Sequence, residues 1–343
     1  MEALKPAFGL IGCGHIGYRH ASLIQEKARL SAVCDVVPEK AAEFARQFHC
    51  PAFHTINDLF TSGIHLDAVA ICTPNFLHAQ QSVLALSQGC HVLCEKPMAI
   101  SAADAEGMMQ AAVMSNRHLV IVKQNRFNPP VEWVRSCLDS GLLGKVLSVH
   151  FNGFWNRPDA YYENTWKGTL EEDGGTLYTQ FSHFVDLLIW FFGPLDPAFA
   201  SFQNRAHPHS IDFEDTGSIL AFTGEHVPVS INYSVNSFRQ NLEGSITILG
   251  DKGSIKIGGQ YLNVLEHSLV DGVEKPVLGP GNPANDYGFY TGSMSNHPSV
   301  YDQFLNAIQG NFALNQPLLD AVETVRFIEK AYTWRNDPLL SQE

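Results

Sequence analysis

Three groups of residues have types and spacings that could do chemistry, and the first is a glycine motif. Phe8-Gly9-Leu10-Ile11 is an apolar run that passes into Gly12-Cys13-Gly14-His15-Ile16-Gly17, the pattern G-x-G-x-x-G. Gly12 permits a tight turn, Gly14 lets the backbone approach a pyrophosphate, and Gly17 lets a helix beginning near Ile16 pack closely on the strand. A pyrophosphate would then rest on free helix N–H groups in the turn that holds His15 and Ile16. A second apolar stretch, Leu30-Ser31-Ala32-Val33-Cys34, ends on Asp35. A carboxylate there accepts hydrogen bonds from ribose hydroxyls and repels a 2'-phosphate, and Val36-Val37-Pro38 supplies no arginine to hold one. The dinucleotide expected is NAD rather than NADP.

The second group lies where later strands end. Thr73, Asn75 and His78 follow one apolar run, and Glu95 and Lys96 follow another, Val92-Leu93-Cys94. In an open α/β sheet ligands bind at that edge, so all five point at the cofactor crevice. An ammonium at Lys96 could orient a substrate hydroxyl, or act as its base where burial lowers its pKa. The alternative is a surface lysine paired with Glu95.

The third group is Asp173-Gly174-Gly175 opening a helix, on which Thr179, His183 and Asp186 share one face by i, i+4 and i+3 spacing. Phe181, Phe184, Leu187, Leu188 and Trp190 surround that stripe. Polar groups on a buried helix need partners, and a catalytic histidine oriented by a carboxylate would meet the need. A lone histidine satisfied inside the core is the other reading.

These residues must be positioned by elements legible from periodicity. Strands at 7–11, 30–35, 68–72, 91–94 and 118–122 alternate with helices at 16–25, 38–48, 75–88 and 101–115, with Pro38 and Ser101 as helix starters. That is a doubly wound parallel sheet, an α/β Rossmann domain. From about Lys145 alternating stretches at 146–155, 216–223, 227–236, 243–249 and 253–257 read as antiparallel strands, with Asp251-Lys252-Gly253 as a hairpin turn. Helices are expected over Gly175 to Phe192, Pro298 to Ile308 and Leu319 to Trp334.

With 343 residues the chain is long enough for two domains. The expected division is 1–126 for NAD and 127–343 for substrate binding and oligomerisation, with the C-terminal helix packing back on the first domain. The formal charge is −13, and its acidic excess falls after residue 125, where 13 Lys+Arg face 25 Asp+Glu. That balance argues against nucleic acid and gives no basic patch for a membrane surface. Seven scattered cysteines contain no C-x-x-C pair, so neither a disulfide framework nor a zinc knuckle is indicated. Among 15 histidines no H-E-x-x-H cluster appears, His207-Pro208-His209 reads as a loop, and no metal is expected. No apolar run reaches the eighteen or more residues of a membrane span, and Met1 to Pro6 leads directly into the first strand, so a cytoplasmic protein is expected.

Taken in order, the turn GCGHIG, the segment TPNxxH, the tripeptide EKP and the helix DGGxLxxQxxHxxDLLxW resemble the glucose-fructose oxidoreductase/inositol dehydrogenase (Gfo/Idh/MocA) family over nearly the whole chain. The resemblance implies a Rossmann domain joined to an α+β domain with an open-faced, mostly antiparallel sheet. It also implies NAD(P)-dependent oxidation of a sugar hydroxyl, a homotetramer built through those sheets, and Lys96 and His183 as the catalytic pair. Many sugar and inositol dehydrogenases of the family carry an Asp where this chain has Thr179, so the usual Asp-Lys-His set is incomplete.

Val122-Lys123-Gln124-Asn125-Arg126-Phe127-Asn128-Pro129-Pro130, Phe154 to Tyr162 and Trp166-Lys167-Gly168-Thr169 further resemble the UDP-N-acetylglucosaminuronate 3-dehydrogenases. Those enzymes oxidise the sugar 3-hydroxyl on a route to bacterial surface polysaccharide. The resemblance places Gln124 and Trp166 at the cofactor and Lys96, Asn156, Arg157, Tyr161, Lys167, Thr179 and His183 at the sugar. A uronate on a diphosphate carries several anionic groups, which Asn156, Arg157 and Lys167 could meet, Arg157 with paired hydrogen bonds. Trp166 and Tyr161 offer flat faces to the sugar or nicotinamide. Trp155, Tyr161 and Trp166 as plain sheet core, with Arg157 in a surface ion pair, is the competing reading. Whether NADH is reoxidised in place by 2-oxoglutarate stays open. So do a free inositol or hexose substrate, a hydrolase that uses NAD transiently, and a non-catalytic regulator. Tyr287, Tyr290, His297 and Tyr301 fall in an aromatic stretch that could close over the site or pack as an ordinary loop.

Overall fold

Continuous apolar runs become buried parallel strands when helices cover both faces of a sheet. In the computed structural model, which describes residues 5–163, 165–286, 291–310 and 318–336, β1 (Ala7–Ile11), β2 (Arg29–Cys34), β3 (Ala52–Phe53), β4 (Ala68–Ile71), β5 (His91–Cys94) and β6 (Leu119–Ile121) form such a sheet. Their order is β3-β2-β1-β4-β5-β6, every pair parallel. The strand order reverses between β1 and β4, and that switch point makes the crevice that dinucleotides use. Met1 to Leu4, Tyr287 and Tyr290 lie outside the described residues.

Helices α1 (His15–Lys27), α2 (Pro38–Phe48), α3 (Ile56–Thr61), α4 (His78–Ser87) and α5 (Ala102–Ser115) connect the strands. Pro38 opens α2, and Ser101 caps α5 by accepting the Asp104 N–H at 3.1 Å, as the sequence predicts. The element pair β3 and α3 is not anticipated, because two strand residues and six helical ones are too short to show a period. Thr55 caps α3 through the Asp58 N–H at 3.0 Å.

The second sheet contains β7 (Val146–Phe154), β8 (Leu195–Gln203), β9 (Thr216–Thr223), β10 (Pro228–Ser234), β11 (Glu243–Gly250), β12 (Gly253–Gly258) and β13 (Val264–Val270). Its order is β13-β12-β11-β7-β10-β9-β8. All neighbours are antiparallel except β7 and β10, which run parallel to one another, so the sheet is mostly antiparallel as expected, with one parallel pair at its centre. Asp251-Lys252-Gly253 joins β11 to β12, as expected. The two strands that the pattern reading misses, β8 and β13, are the sheet's edges, and they carry Pro197 and the exposed Glu266-His267 pair. Edge strands accept proline and charge, which erases the alternation.

Two further differences bear on the site. Helix α6 (Pro129–Asp139) follows the Gln124–Phe127 turn, and the expected helix over 175–192 divides into a π-helical turn, Leu177–Phe181, and α7 (Ser182–Phe192). A Cβ at Gly153 of β7 would stand 2.7 Å from the Phe181 ring, so glycine there admits that ring to the sheet. Helix α8 (His297–Ile308) sends Tyr301 and Phe304 against Phe8 of β1, with ring centroids 6.2 and 6.0 Å apart. Helix α9 (Leu318–Ala331) runs into a final turn, Tyr332–Asn336.

Contacts group the described residues of Met1–Val122 and His297–Val322 into one unit and those of Lys123–Asn296 and Glu323–Glu343 into another. The division thus differs from a single break at 126/127. From Glu323 onward the C-terminal segment packs on the second unit: Tyr178 Oη donates to Val325 O at 3.4 Å, and Tyr332 Oη accepts the Leu177 N–H at 2.9 Å and donates to Glu214 at 2.7 Å. Tyr332 of that segment finds its partners on the π turn and in the loop before β9, which a periodicity reading cannot locate. Among the described residues no helix is long and apolar enough to cross a membrane.

Candidate active site

The glycine turn is built as its spacing predicts. Gly12 has φ +98°, and a Cβ there would lie 2.6 Å from the Cys72 carbonyl, while one at Gly17 would lie 2.1 Å from Gly12 O. At Gly14 a Cβ would meet nothing within 4 Å. Gly14 also starts α1 without any side-chain cap, so the first-turn N–H groups of α1 face that space. Open room beside uncapped amides fits a dinucleotide pyrophosphate. The Asp35 carboxylate accepts the Cys13 N–H at 2.7 Å and the Val37 N–H at 2.8 Å. It braces the glycine turn, and a carboxylate's further lone pairs remain for ribose hydroxyls.

At the ends of β4 and β5 the predicted residues divide by task. Thr73 donates from Oγ1 to Gln81 at 2.6 Å. Asn75 is buried in a short 3-10 turn. His78 is buried with its ring nitrogens 2.7 and 2.9 Å from the carbonyls of Pro97 and Thr73, so it ties the two loops together. Glu95 does not pair as a surface residue: it is 7% exposed, and its carboxylate takes hydrogen bonds from His20, His297 and the Lys96 backbone. The half-buried Lys96 follows it at the strand end.

In the second unit, Arg157 is a buried cation with a rigid seat. Its Nε donates to Gln180 at 2.8 Å and Nη1 to Asn156 O at 2.6 Å, and the guanidinium lies 5.0 and 5.4 Å from the Trp155 and Tyr161 rings. Gln180 in turn donates to Tyr161 Oη at 2.8 Å, and Asn156 donates to Ser237 O at 2.6 Å. The Lys167 ammonium lies 4.7 Å over Tyr161 and 5.3 Å from Trp166. These rings therefore hold cations, a role between pure core and pure sugar platform. Burial pulls the Lys167 pKa down against the opposing pull of Asp173. His207 was not anticipated: it lies between Asp215, at 3.2 Å, and the Arg157 carbonyl, at 2.8 Å, and its hydrogen bond to Asp215 raises its pKa.

The polar stripe expected on one helix face resolves into separate partnerships, and the π turn takes Thr179 out of helical register with His183 and Asp186. Thr179 donates to Asp173, whose carboxyl burial pushes up to about 6. His183 lies with its ring centroid 5.5 Å from Trp155 and 4.5 Å from Phe184. Asp186 meets Arg126 through paired bonds of 2.8 and 2.7 Å and Lys123 at 2.9 Å, all three side chains buried. Burial would raise the Asp186 pKa, but Arg126 and Lys123 hold it at about 2. Gln124, between those cations in sequence, donates to Ser293 at 2.9 Å, and its buried Oε1 has no hydrogen-bond partner among the described residues. A vacant buried acceptor suits an amide donor such as a carboxamide.

Among the described residues one group, His20, Glu95 and His297, brings its nitrogen and oxygen atoms within 4.8 Å of one another. The sequence reading misses this cluster because its members lie far apart in the chain. His297 and Tyr301 belong to a buried helix and not to a loop.

Residues 7–123 match the family model GFO_IDH_MocA, described as an oxidoreductase family with an NAD-binding Rossmann fold, and residues 131–256 match the GFO/IDH/MocA C-terminal domain. The WlbA dehydrogenase of Bordetella pertussis, crystallised with NADH and UDP-GlcNAcA, is 31% identical with a TM-score of 0.85, covering 97% of both chains. The WlbA dehydrogenase of Chromobacterium violaceum, crystallised with the same two molecules, is 30% identical with a TM-score of 0.87, covering 98% of this chain and 95% of its own. By sequence the chain is also 27% identical to the 2,7-anhydro-N-acetylneuraminate hydratase of Escherichia coli K12, over 76% of this chain and 72% of that one.

Proposed function

The chain belongs to the Gfo/Idh/MocA family of NAD-binding oxidoreductases, and from that membership we propose that it oxidises the 3-hydroxyl of UDP-N-acetylglucosaminuronate or a close uronate relative. The observation that carries the reading is the likeness, over 97% of both chains, to a dehydrogenase crystallised with NADH and UDP-GlcNAcA. Arg157 and Lys167, two cations seated on aromatic rings in the second unit, suit an anionic sugar.

In this reading the Gly12–Gly17 turn and the first amides of α1, with His15 and Ile16, take the pyrophosphate, and Asp35 takes the ribose. Thr73, Asn75 and His78 shape the strand ends, while Gln124 offers its vacant acceptor to the carboxamide and Trp166 a flat face. NAD, when bound, supplies the hydride acceptor. Lys96 donates a hydrogen bond to the reacting oxygen as negative charge develops, and His183 accepts the hydroxyl proton. Asn156, Arg157, Tyr161, Lys167 and Thr179 hold the sugar. Positioned proton transfer contributes about 100-fold to 10,000-fold, so His183→Ala should lower kcat by that order while NAD binding persists. The same reading carries a cytoplasmic homotetramer.

The test is NADH absorbance when purified protein meets NAD+ and UDP-N-acetylglucosaminuronate, with and without 2-oxoglutarate, beside UDP-N-acetylglucosamine and myo-inositol. Formation of NADH with the uronate alone supports the proposal, and a response to inositol alone contradicts the substrate class. The kinship with the hydratase favours one second reading, in which NAD takes a hydride from the sugar, the glycosidic oxygen leaves by elimination, and the same hydride is returned to the sugar carbon. Sugar turnover without net NADH would select it.

A further inference from the structure

We propose that Tyr301, His20, Glu95 and His297 form a buried hydrogen-bond chain that holds the backbone at Lys96 and places one fixed negative charge beside it, making Glu95 a positioning residue for that lysine. The inference rests on the reading of Lys96 as a catalytic group. Its members come from α1, the end of β5 and α8, all in the first unit, and none is more than 7% exposed. His20 Nε2 lies 2.9 Å and His297 Nε2 3.2 Å from Glu95 Oε1, and Glu95 Oε2 accepts the Lys96 N–H at 3.1 Å. His20 Nδ1 lies 2.8 Å from Tyr301 Oη.

The protons of this chain are dictated by chemistry. An ionised carboxylate only accepts, so both imidazoles must present Nε2–H to Oε1. His20 in its neutral form then has a bare Nδ1, which accepts from the Tyr301 hydroxyl. Burial would raise the Glu95 pKa, but the hydrogen bonds from His20 and His297 outweigh it and hold the carboxyl well below the ordinary range. Burial lowers the His297 pKa, which keeps that ring in the neutral form the arrangement needs.

An aliphatic side chain at position 95 would fill the same space without a charge to compensate. The carboxylate instead fixes the Lys96 N–H and stands one residue from its ammonium. A divalent metal on the same three atoms is the competing arrangement, and it would have to displace both Nε2 protons. The hydrogen bonds already account for each of those atoms.

The experiment compares Lys96→Ala, Glu95→Gln and Tyr301→Phe with the native protein by kcat, KM for NAD+ and sugar, the pH profile of kcat/KM, and metal content. Glu95→Gln turns an amide NH2 toward a donor and removes the charge. It is expected to lower kcat about 10- to 100-fold through misplacement of Lys96, leave KM for NAD+ near native, and move the alkaline limb to lower pH. His78 also senses both Glu95 and Lys96, but burial already holds its pKa below the ordinary value and loss of Glu95 pushes it in the same direction, so the alkaline limb reports on Lys96. Tyr301→Phe removes only the far end of the chain and is expected to lower kcat several-fold with no shift of the limb. A native rate and profile in Glu95→Gln beside an inactive Lys96→Ala overturns this inference alone, and a fully active Lys96→Ala overturns both it and the proposed function. If Glu95→Gln fails to fold, Tyr301→Phe decides, a native rate counting against the chain. Stoichiometric metal that disappears in Glu95→Gln also overturns it.

Discussion

Each unit buries a carboxylate close in sequence to a candidate catalytic residue, and the two solve the same electrostatic problem differently. Glu95, next to Lys96, is held by N–H groups of two imidazoles and one backbone amide. Asp186, three residues after His183, is held by a guanidinium and an ammonium. The first arrangement meets its charge with imidazole and backbone N–H donors beside a lysine, whereas the second meets it with two cations and leaves a positive excess. Neutral donors suit a group that must shape the field around a reacting atom, and permanent cations suit one that must lock a helix in place. Lys123 precedes the Gln124–Phe127 turn and Arg126 lies in it, so Asp186 ties that turn to the helix that carries His183.

The contrast is broken most forcefully by neutralising each acid. Asp186→Asn leaves two buried cations uncompensated and should cost about 3–5 kcal/mol in urea unfolding. Glu95→Gln disturbs hydrogen bonds without stranding a cation among its partners and should cost about 1–3 kcal/mol. Equal losses would show that the two acids play the same structural part. Acid titration comes next in size. With a folded pKa near 2 against an ordinary 3.8, Asp186 contributes stability that is present above pH 3.8 and lost as pH falls toward 2. That amounts to about 2 kcal/mol, absent from the unfolding profile of Asp186→Asn.

The smallest effect concerns a third acid, Asp173, which receives neutral donors from Thr179 and Gly168 and is pushed up to about 6 by burial. As pH rises through 6 it gains a negative charge facing Lys167, so affinity for an anionic sugar should fall by up to about fivefold. Calorimetric titrations at pH 5 and pH 7 should show that fall in the native protein and none in Asp173→Asn.

Much of the first unit is legible in the sequence because its strands are continuous apolar runs and Gly12 and Gly17 are fixed by a positive φ and a close backbone approach that few other residues tolerate. The second sheet is legible only at its centre. Its edges β8 and β13 carry proline and charge, and the parallel pairing of β7 with β10 leaves no local mark. The π turn at Leu177–Phe181 takes Thr179 out of register with His183 and Asp186, and nothing in the spacing of apolar residues announces it. The clusters around Glu95 and Asp186 were unreadable for a simpler reason: each acid lies 60 or more positions from the side chains that hold it, and only folding makes them neighbours.

The central claim is that hydrogen leaves C3 of a uronate nucleotide sugar for NAD. UDP-N-acetylglucosaminuronate deuterated only at C3, incubated with the protein and NAD+, tests it by mass spectrometry of the reduced nucleotide. The account predicts singly deuterated NADH, strongly diminished in His183→Ala. Unlabelled NADH would place the oxidation at another carbon, and no reduced nucleotide alongside an intact sugar would contradict the claim outright.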